Sequence, residues 1–562
     1  MTEINYDHID FKIDNLIQIY EQSFRDNWNL PALTDYTSGA TQTYGELAVE
    51  LAKMHLFLGA IGIKKGDKIA LCGKDSTQWV KIFMGALTYG AVIVPILSDF
   101  NPQDIAHIVN HSEAVIFFCS RSIWEHLEPE KLFKAKGVMS TDSYEVLYER
   151  EELRISRYAN IVSRLYASKY PGGLTPQTLR FARRDNAEVA EINYTSGTTG
   201  FSKGVMLTGR NLAGNVCFGR YSRLHYKGSR ALAFLPLAHA YGCAFDMLTP
   251  LAVGSHVTIL GKMPSPRILL KALGEVRPNL IICVPLILEK IYKNQILPLL
   301  SKGATRRAIA VPLLDSLIYT KIRKKLIAAF GGEFSEVIVG GAPLNHEVEE
   351  FLHKIKFPFT VGYGMTECGP LISYTCWKDF RPGTSGRTLP IMESMAMSDN
   401  PEKIPGEICV RGVNVMKGYY KNPEATNLVL SSNGWLKTGD IGTISRNGTI
   451  AIRGRSKTML LSGSGQNIYP EEIESKLNNM PFVAESLVVM RDGRLVGLVY
   501  PDYEQMDRLG MSPEDLEPAM ENNLKELNKI VAPYERLSKI DLMPTEFQKT
   551  PKRSIKRYLY SR

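Results

Sequence analysis

Apolar positions along the 562-residue chain follow two alternating rhythms. Short β-branched runs at residues 68–72, 114–119, 256–260, 280–284 and 336–339 are apolar at nearly every position, as strands buried on both faces are. Between them, residues 44–58, 266–273 and 315–330 repeat apolar side chains at three- and four-residue spacing and predict helices. The alternation predicts an α/β fold of layered sheets and helices. The longest apolar run, 82–97, is broken by Gly85, Gly90 and Pro95 and is too short to span a bilayer comfortably. It reads as a buried helix feeding a buried strand at 91–96. From about Gly434 the character changes. A hairpin signal at Ser445, Arg446, Asn447 and Gly448 is followed by a compact α+β unit of about a hundred residues. The expected division is a large unit, 1–455, and a small mobile C-terminal unit, 456–562, joined by a hinge.

Composition narrows the class. Apolar residues at 44% and charged residues at 22% fit a globular protein. The net charge of +9 is modest, and the basic residues look spread along the chain apart from a C-terminal cluster. That suits an anionic small molecule, and no nucleic-acid partner is inferred. The eight cysteines form no CxxC pair and no zinc-type grouping, so they read as reduced, mostly buried thiols. The acidic N-terminal residues and the lack of an apolar core after them do not resemble a secretory leader. A soluble, cytoplasmic protein is expected.

Residues 194–204, YTSGTTGFSKG, carry the strongest chemical signal. Gly197, Gly200 and Gly204 allow backbone conformations that turn successive N–H groups toward one anion. Thr195, Ser196, Thr198, Thr199 and Ser202 add hydroxyls, and Lys203 adds a positive charge. A Gly/Ser/Thr linker has similar composition, but strand-like runs on both sides point to a tight loop between sheet elements. Gly204 follows Lys203 where a GxxxxGK[ST] loop has a hydroxyl for Mg²⁺, so a metal ligand must come from elsewhere.

Other segments supply what that loop lacks. Gly341, Ala342 and Pro343 follow a strand and let a flat ligand lie against backbone. Gly362, Tyr363, Gly364, Met365, Thr366 and Glu367 combine a ring that can stack on a base, a hydroxyl for a phosphate oxygen and a carboxylate for Mg²⁺. Asp440 ends a turn and suits ribose hydroxyls, with Arg455 beside it after a hairpin. Taken singly, Tyr363 fits a core ring, Glu367 a solvated carboxylate, Asp440 a turn former, Arg455 a surface cation and His239 a satisfied core histidine.

In order along the chain, YTSGTTGFSKG, LPLAHAYG, GGAPL, GYGMTECGP, GEICVRGVNVMKGYYKNPEAT, GWLKTGDIG and GRSKTMLLSGSGQNIYPEEIE resemble the segments of the adenylate-forming superfamily. That superfamily holds acyl-CoA synthetases, luciferases and peptide-synthetase adenylation domains. Residues 278–294 and 322–344 look most like the long-chain fatty acyl-CoA synthetases. The resemblance implies ATP- and Mg²⁺-dependent activation of a fatty acid as acyl-AMP, then transfer to coenzyme A. It assigns Thr195 to Lys203 to the β,γ-phosphates, and Thr366 and Glu367 to the α-phosphate and the metal. Adenine falls to Tyr363 with Gly341 to Pro343, and ribose to Asp440 with Arg455. His239 and Tyr241 match the acyl pocket and its gate, Lys457 the hinge, and Gly465 the pantetheine channel. One extra residue separates Arg455 from Gly465 relative to the family's usual pattern.

The C-terminus departs from the family. Its catalytic lysine position holds Ser554 here, and Lys552 and Lys556 lie two residues to either side, where an extended chain would present them on the same face. Three readings follow: a fatty acid–CoA ligase, a ligase using an acyl carrier protein, and a degenerate member that binds nucleotide or acyl-adenylate without turnover. The substrate's partition into lipid is the sole ground for expecting peripheral membrane contact. Acyl chain length and oligomeric state are not legible.

Overall fold

The computed structural model describes residues 11–150, 153, 155–195, 202–262, 265–300, 307–308, 311, 314–461, 466–550 and 554–561. The predicted apolar runs at 68–72 and 114–119 lie at the centre of an eight-stranded sheet. Its inner strands Val189–Thr195, Val92–Ile96, Lys68–Cys72, Ala114–Cys119 and Gly137–Ser140 lie side by side and parallel. Helices Thr77–Tyr89 and Pro102–Ser112 pack on it, and Ile69 to Cys72 in its middle are buried and apolar. The run at 82–97 divides as expected, its strand being Val92–Ile96.

Two further parallel groupings complete the large unit. His256–Ile259 lies between Arg230–Ala233 and Pro31–Asp35. Ile281–Cys283, Val337–Val339 and Phe359–Val361 form a three-stranded parallel sheet. An antiparallel sheet follows, in the order Met392–Met397, Gly406–Gly412, Leu436–Ile444 and Ile450–Arg455, and the turn predicted at 445–448 joins its last two strands. Residues 165–169 finish the helix Val162–Lys169.

The apolar core of the described residues falls into three clusters. The main cluster runs from Leu16 to Ile450, and separate clusters centre on Ile473 and Leu527 and on Leu487 and Phe547. The small unit carries the sheet Val483–Arg491, Arg494–Pro501 and Lys539–Leu542 with helices Pro470–Leu477 and Leu516–Ile530. Polar contacts join the units: Lys293 Nζ donates to the Val483 carbonyl at 2.7 Å and pairs with Asp502 at 3.0 Å, while Asn479 Nδ2 donates to Asn345 Oδ1 at 3.0 Å. Seven of the eight cysteines are buried and all are free. Among the described residues no helix is long and apolar enough to cross a membrane.

Candidate functional site

The short segment from Tyr363 to Glu367 carries chemistry at both ends. Tyr363–Gly364 pairs antiparallel with Leu371–Tyr374, and Thr366–Cys368 is one turn of 3-10 helix that buries Thr366. The two backbones approach so closely that a Cβ on Gly364 would lie 2.3 Å from the Pro370 carbonyl oxygen, so only glycine fits there. Met365 N–H donates to that same carbonyl at 2.9 Å, which fixes the turn.

At one end, the Tyr363 hydroxyl donates to Asp440 Oδ2 at 2.6 Å, and Arg455 Nε lies 3.1 Å from Asp440 Oδ1. Strand register brings that acid and base together: Asp440 and Arg455 are directly opposite in the pair Leu436–Ile444 and Ile450–Arg455. Asp440 is buried, and that burial pushes its carboxyl above the usual range, against the pull of Arg455 and Tyr363. Arg455 is largely exposed, so its hold on the carboxylate is one a hydroxylated ligand can replace.

At the other end, the Tyr419 hydroxyl donates to Glu367 Oε1 at 2.9 Å, and Lys203 Nζ lies 4.8 Å from the centroid of the Tyr419 ring. Tyr419 arrives there because Gly418–Tyr419 pairs with the edge of Lys203–Thr208, setting Tyr419 opposite Val205. Burial, with Glu367 beside it, holds the phenol far above its ordinary range, so it stays a proton donor. Lys203 in turn opposes Thr195 at the open end of the pair Val189–Thr195 and Lys203–Thr208. The two strands thus deliver both stems of the expected phosphate loop to one place. Ser196, Gly197, Thr198, Thr199 and Gly200 lie outside the described residues.

Gly341, Ala342 and Pro343 form an exposed rim after Val337–Val339. A Cβ on the preceding Gly340 would stand 3.0 Å from the Tyr241 ring, whose hydroxyl donates to the Ile338 carbonyl at 3.0 Å. Tyr241 is therefore buried and anchored beside that rim. His239 caps the short helix Ala240–Gly242, its Nδ1 accepting from Tyr241 N–H at 3.3 Å. Lys457 is exposed in the turn that follows Arg455.

In the C-terminal segment the described residues flanking the lysine position are paired. Lys549 bridges to Ile555, Thr550 N–H donates to the Ser554 carbonyl at 2.8 Å, Ser554 N–H donates back to Thr550 Oγ1 at 3.3 Å, and Ser554 is exposed. Lys556 N–H donates to the Gln548 carbonyl at 2.8 Å. The neighbouring polar side chains anchor within the small unit, Lys549 on Glu485 at 2.6 Å and Arg557 on Glu471 and Glu474. Gly465 and Lys552 lie outside the described residues.

Around the Tyr363–Glu367 segment the structure gathers Lys203, Asp440 and Arg455, and adds Tyr419, which sequence reasoning gave no role. Its only signal was the tyrosine pair after Gly418 in GYYKNPEAT. Among the described residues no group of three or more His, Cys, Asp or Glu side chains forms a metal cage. A lone carboxylate with one oxygen on a phenol still fits Mg²⁺, which commonly takes one or two carboxylates and completes its shell with water and substrate phosphates.

Beneath the site, Glu191 and Asn193 face the 235–242 segment. Asn193 Nδ2 donates to Glu191 Oε1 at 2.8 Å and to the Ala238 carbonyl at 3.2 Å. Glu191 is buried, its second oxygen has no partner among the described residues, and burial raises its carboxyl to about 7. A folded-state value above the unfolded one means that stability is fully present below about pH 4.5 and is lost as pH rises through 7. Asp75, Glu349 and Glu474 shift the same way, so the comparison must be with a variant. Glu191→Gln should be the more stable protein by on the order of 3 kcal/mol at pH 8, the gain vanishing near pH 4. Denaturant midpoints across that range test this, and a pH-independent difference contradicts it.

A protein-family model described as AMP-binding enzyme matches residues 20–420. A long-chain-fatty-acid–CoA ligase of Mycobacterium bovis is 28% identical over 92% of this chain and 89% of its own length. One from Escherichia coli O157:H7 is 28% identical over 87% of this chain and 84% of its own. Among solved structures, ATP-bound MatB from Rhodopseudomonas palustris is similar with a TM-score of 0.75 at 22% identity, covering 97% of this chain and 98% of that one. A Mycobacterium tuberculosis fatty acyl CoA synthetase gives 0.66 at 20% identity, covering 98% of each chain. At these identities the structural likeness establishes the α/β fold across nearly the whole chain.

Proposed function

The chain belongs to the AMP-binding enzyme family, and from that premise we propose that it activates a fatty acid with ATP and passes the acyl group to coenzyme A. One observation carries the reading: a single five-residue segment touches a buried acid that is paired with an exposed arginine at one end, and a phenol beside a lysine at the other. That spacing of groups suits the ribose and the phosphates of one nucleotide. The long-chain ligases among the relatives support a fatty acid as the carboxylate.

In the first half-reaction a carboxylate oxygen attacks the α-phosphorus, the bond to the β-phosphate breaks, and pyrophosphate leaves. The carboxylate is already ionised near neutral pH, so no side-chain nucleophile is required. Rate comes from alignment and from charge placed against the phosphoryl oxygens. Asp440 and Arg455 hold the ribose, Tyr363 and Gly341 to Pro343 the adenine, and Lys203 with the Thr195 loop the departing phosphates. Gly362, Gly364 and Met365 shape the backbone against the nucleotide, and Thr366 donates to the α-phosphate. Glu367, oriented by Tyr419, would hold Mg²⁺, which when bound offsets phosphate charge. In the second half-reaction the CoA sulfur attacks the acyl carbonyl carbon, the thiol proton passes to solvent, and AMP leaves. His239 and Tyr241 lie toward the acyl group. The units 1–455 and 456–562 turn about Lys457 between the halves, bringing Gly465 to the pantetheine channel. The separate cores on either side of the 456–458 turn support this division.

The test measures pyrophosphate release across carboxylates of increasing chain length, then thioester formation with CoA and with an acyl carrier protein. Release that rises with chain length, and thioester with CoA, is the expected result. Thioester with the carrier alone replaces the acceptor. Ser554 favours one other reading, a protein that binds ATP without turnover; binding with no release from any carboxylate would establish it.

A further inference from the structure

The helix Leu314–Ala329 sits on the large unit with only one fully buried residue, Leu326. Its inner side holds Tyr319, Ile322 and Ile327 against the core, with the Tyr319 ring edge-on to Phe351 at 6.3 Å. Its outer side is unusual for a water-facing helix. Leu314 is 45% exposed and Leu317 67% exposed, and Lys321, Lys324 and Lys325 are exposed beyond them. Positions 314, 317, 321 and 324 recur at three- and four-residue spacing and therefore form one stripe, apolar in its first half and cationic in its second.

On the inner, Tyr319 side of the helix lies a groove. Leu299, in Leu297–Leu300, is 43% exposed, and Leu300 and Tyr319 line this open groove of about 360 Å³. The groove's acids lie on the next helix, His346–Lys354, where Glu347 accepts from the Tyr292 hydroxyl at 2.9 Å and Glu350 lies 3.8 Å from His346. Lys354 Nζ lies 4.9 Å from the Tyr319 ring centroid. Within Leu314–Ala329 itself, Lys321, Arg323, Lys324 and Lys325 stand against Asp315 alone. The impression that basic residues are evenly spread thus misses a local concentration here.

Exposed leucines contiguous with cations match neither a solvated helix nor a purely electrostatic contact. A surface that is anionic outside and apolar just beneath satisfies both halves of the stripe at once. We propose that this face docks the protein on an anionic lipid surface, with Leu314 and Leu317 entering the boundary between headgroups and acyl chains and Lys321, Lys324 and Lys325 on the headgroup phosphates. The proposal needs neither ATP nor a fatty acid and stands whether or not the ligase reading holds.

The test is co-sedimentation of the full chain, without nucleotide, with vesicles of phosphatidylcholine alone or with phosphatidylserine added. Binding should require phosphatidylserine and weaken with salt. Leu314→Ser with Leu317→Ser, and separately Lys321→Gln with Lys324→Gln and Lys325→Gln, should each lower the bound fraction about ten-fold or more. Circular dichroism and melting curves should be unchanged, because every substituted side chain faces solvent. No binding to phosphatidylserine vesicles overturns the proposal, as does equal binding by either set of variants. If the leucine variant instead abolishes a concentration-dependent dimer and leaves vesicle binding intact, the face is a self-association surface and the lipid proposal is wrong.

Discussion

Glu367→Gln is expected to lower pyrophosphate release from ATP and a fatty acid by about 10²- to 10³-fold, with little change in the fatty acid KM. The substitution keeps size and an acceptor oxygen, so the Tyr419 hydroxyl retains its 2.9 Å partner and the fold has no reason to change. What disappears is the negative charge that a hard divalent cation requires. Because no cage of three or more such ligands surrounds the site among the described residues, losing this one carboxylate removes a large share of what the protein offers a magnesium ion. Tyr419→Phe separates positioning from ligation. It removes the hydroxyl while leaving the ring beside Lys203, and should cost about ten-fold, recovered in part by added magnesium. A magnesium titration of release with both variants is the measurement. Activity of Glu367→Gln within a few-fold of the wild type would remove Glu367 from the site.

The sheet strands were legible because parallel strands buried on both faces leave unbroken apolar runs, as in Lys68–Cys72 and Val92–Ile96. Asp440 and Arg455 were legible as a pair because one short hairpin sets them opposite, a local relation that turn chemistry encodes. Tyr419 was not, because its place beside Glu367 and Lys203 depends on a strand pairing between Tyr419 and Val205 that no local pattern records. The helix at 314–329 was predicted from periodicity, yet periodicity does not say which side meets solvent. Its outward leucines emerge only once the Tyr319 face is seen against Phe351. At the C-terminus the lysine spacing did not record the pairing in which Thr550 N–H donates to the Ser554 carbonyl and Thr550 Oγ1 accepts from Ser554 N–H.

That pairing decides how the missing lysine is to be tested. Ile555 packs against the cluster of Leu487, Val489 and Phe547, so Ser554 and Lys556, its neighbours on either side, fall on the opposite, outward face. A cation at Lys556 therefore shares a side with the position where the family carries its lysine, and Lys552 lies outside the described residues. If either supplies the charge, Ser554→Lys adds a second cation to a site already served and should change release by less than about two-fold. Lys556→Ala or Lys552→Ala should then lower release by about 100-fold, while CoA thioester formation from supplied acyl-adenylate stays near the wild-type rate. The split between the halves matters because a merely destabilised small unit would depress both. A gain of about ten-fold or more in Ser554→Lys, with both alanine variants unchanged, would instead mean that the native chain adenylates without a cation from this segment, and that the step rests on Lys203 and the metal site alone.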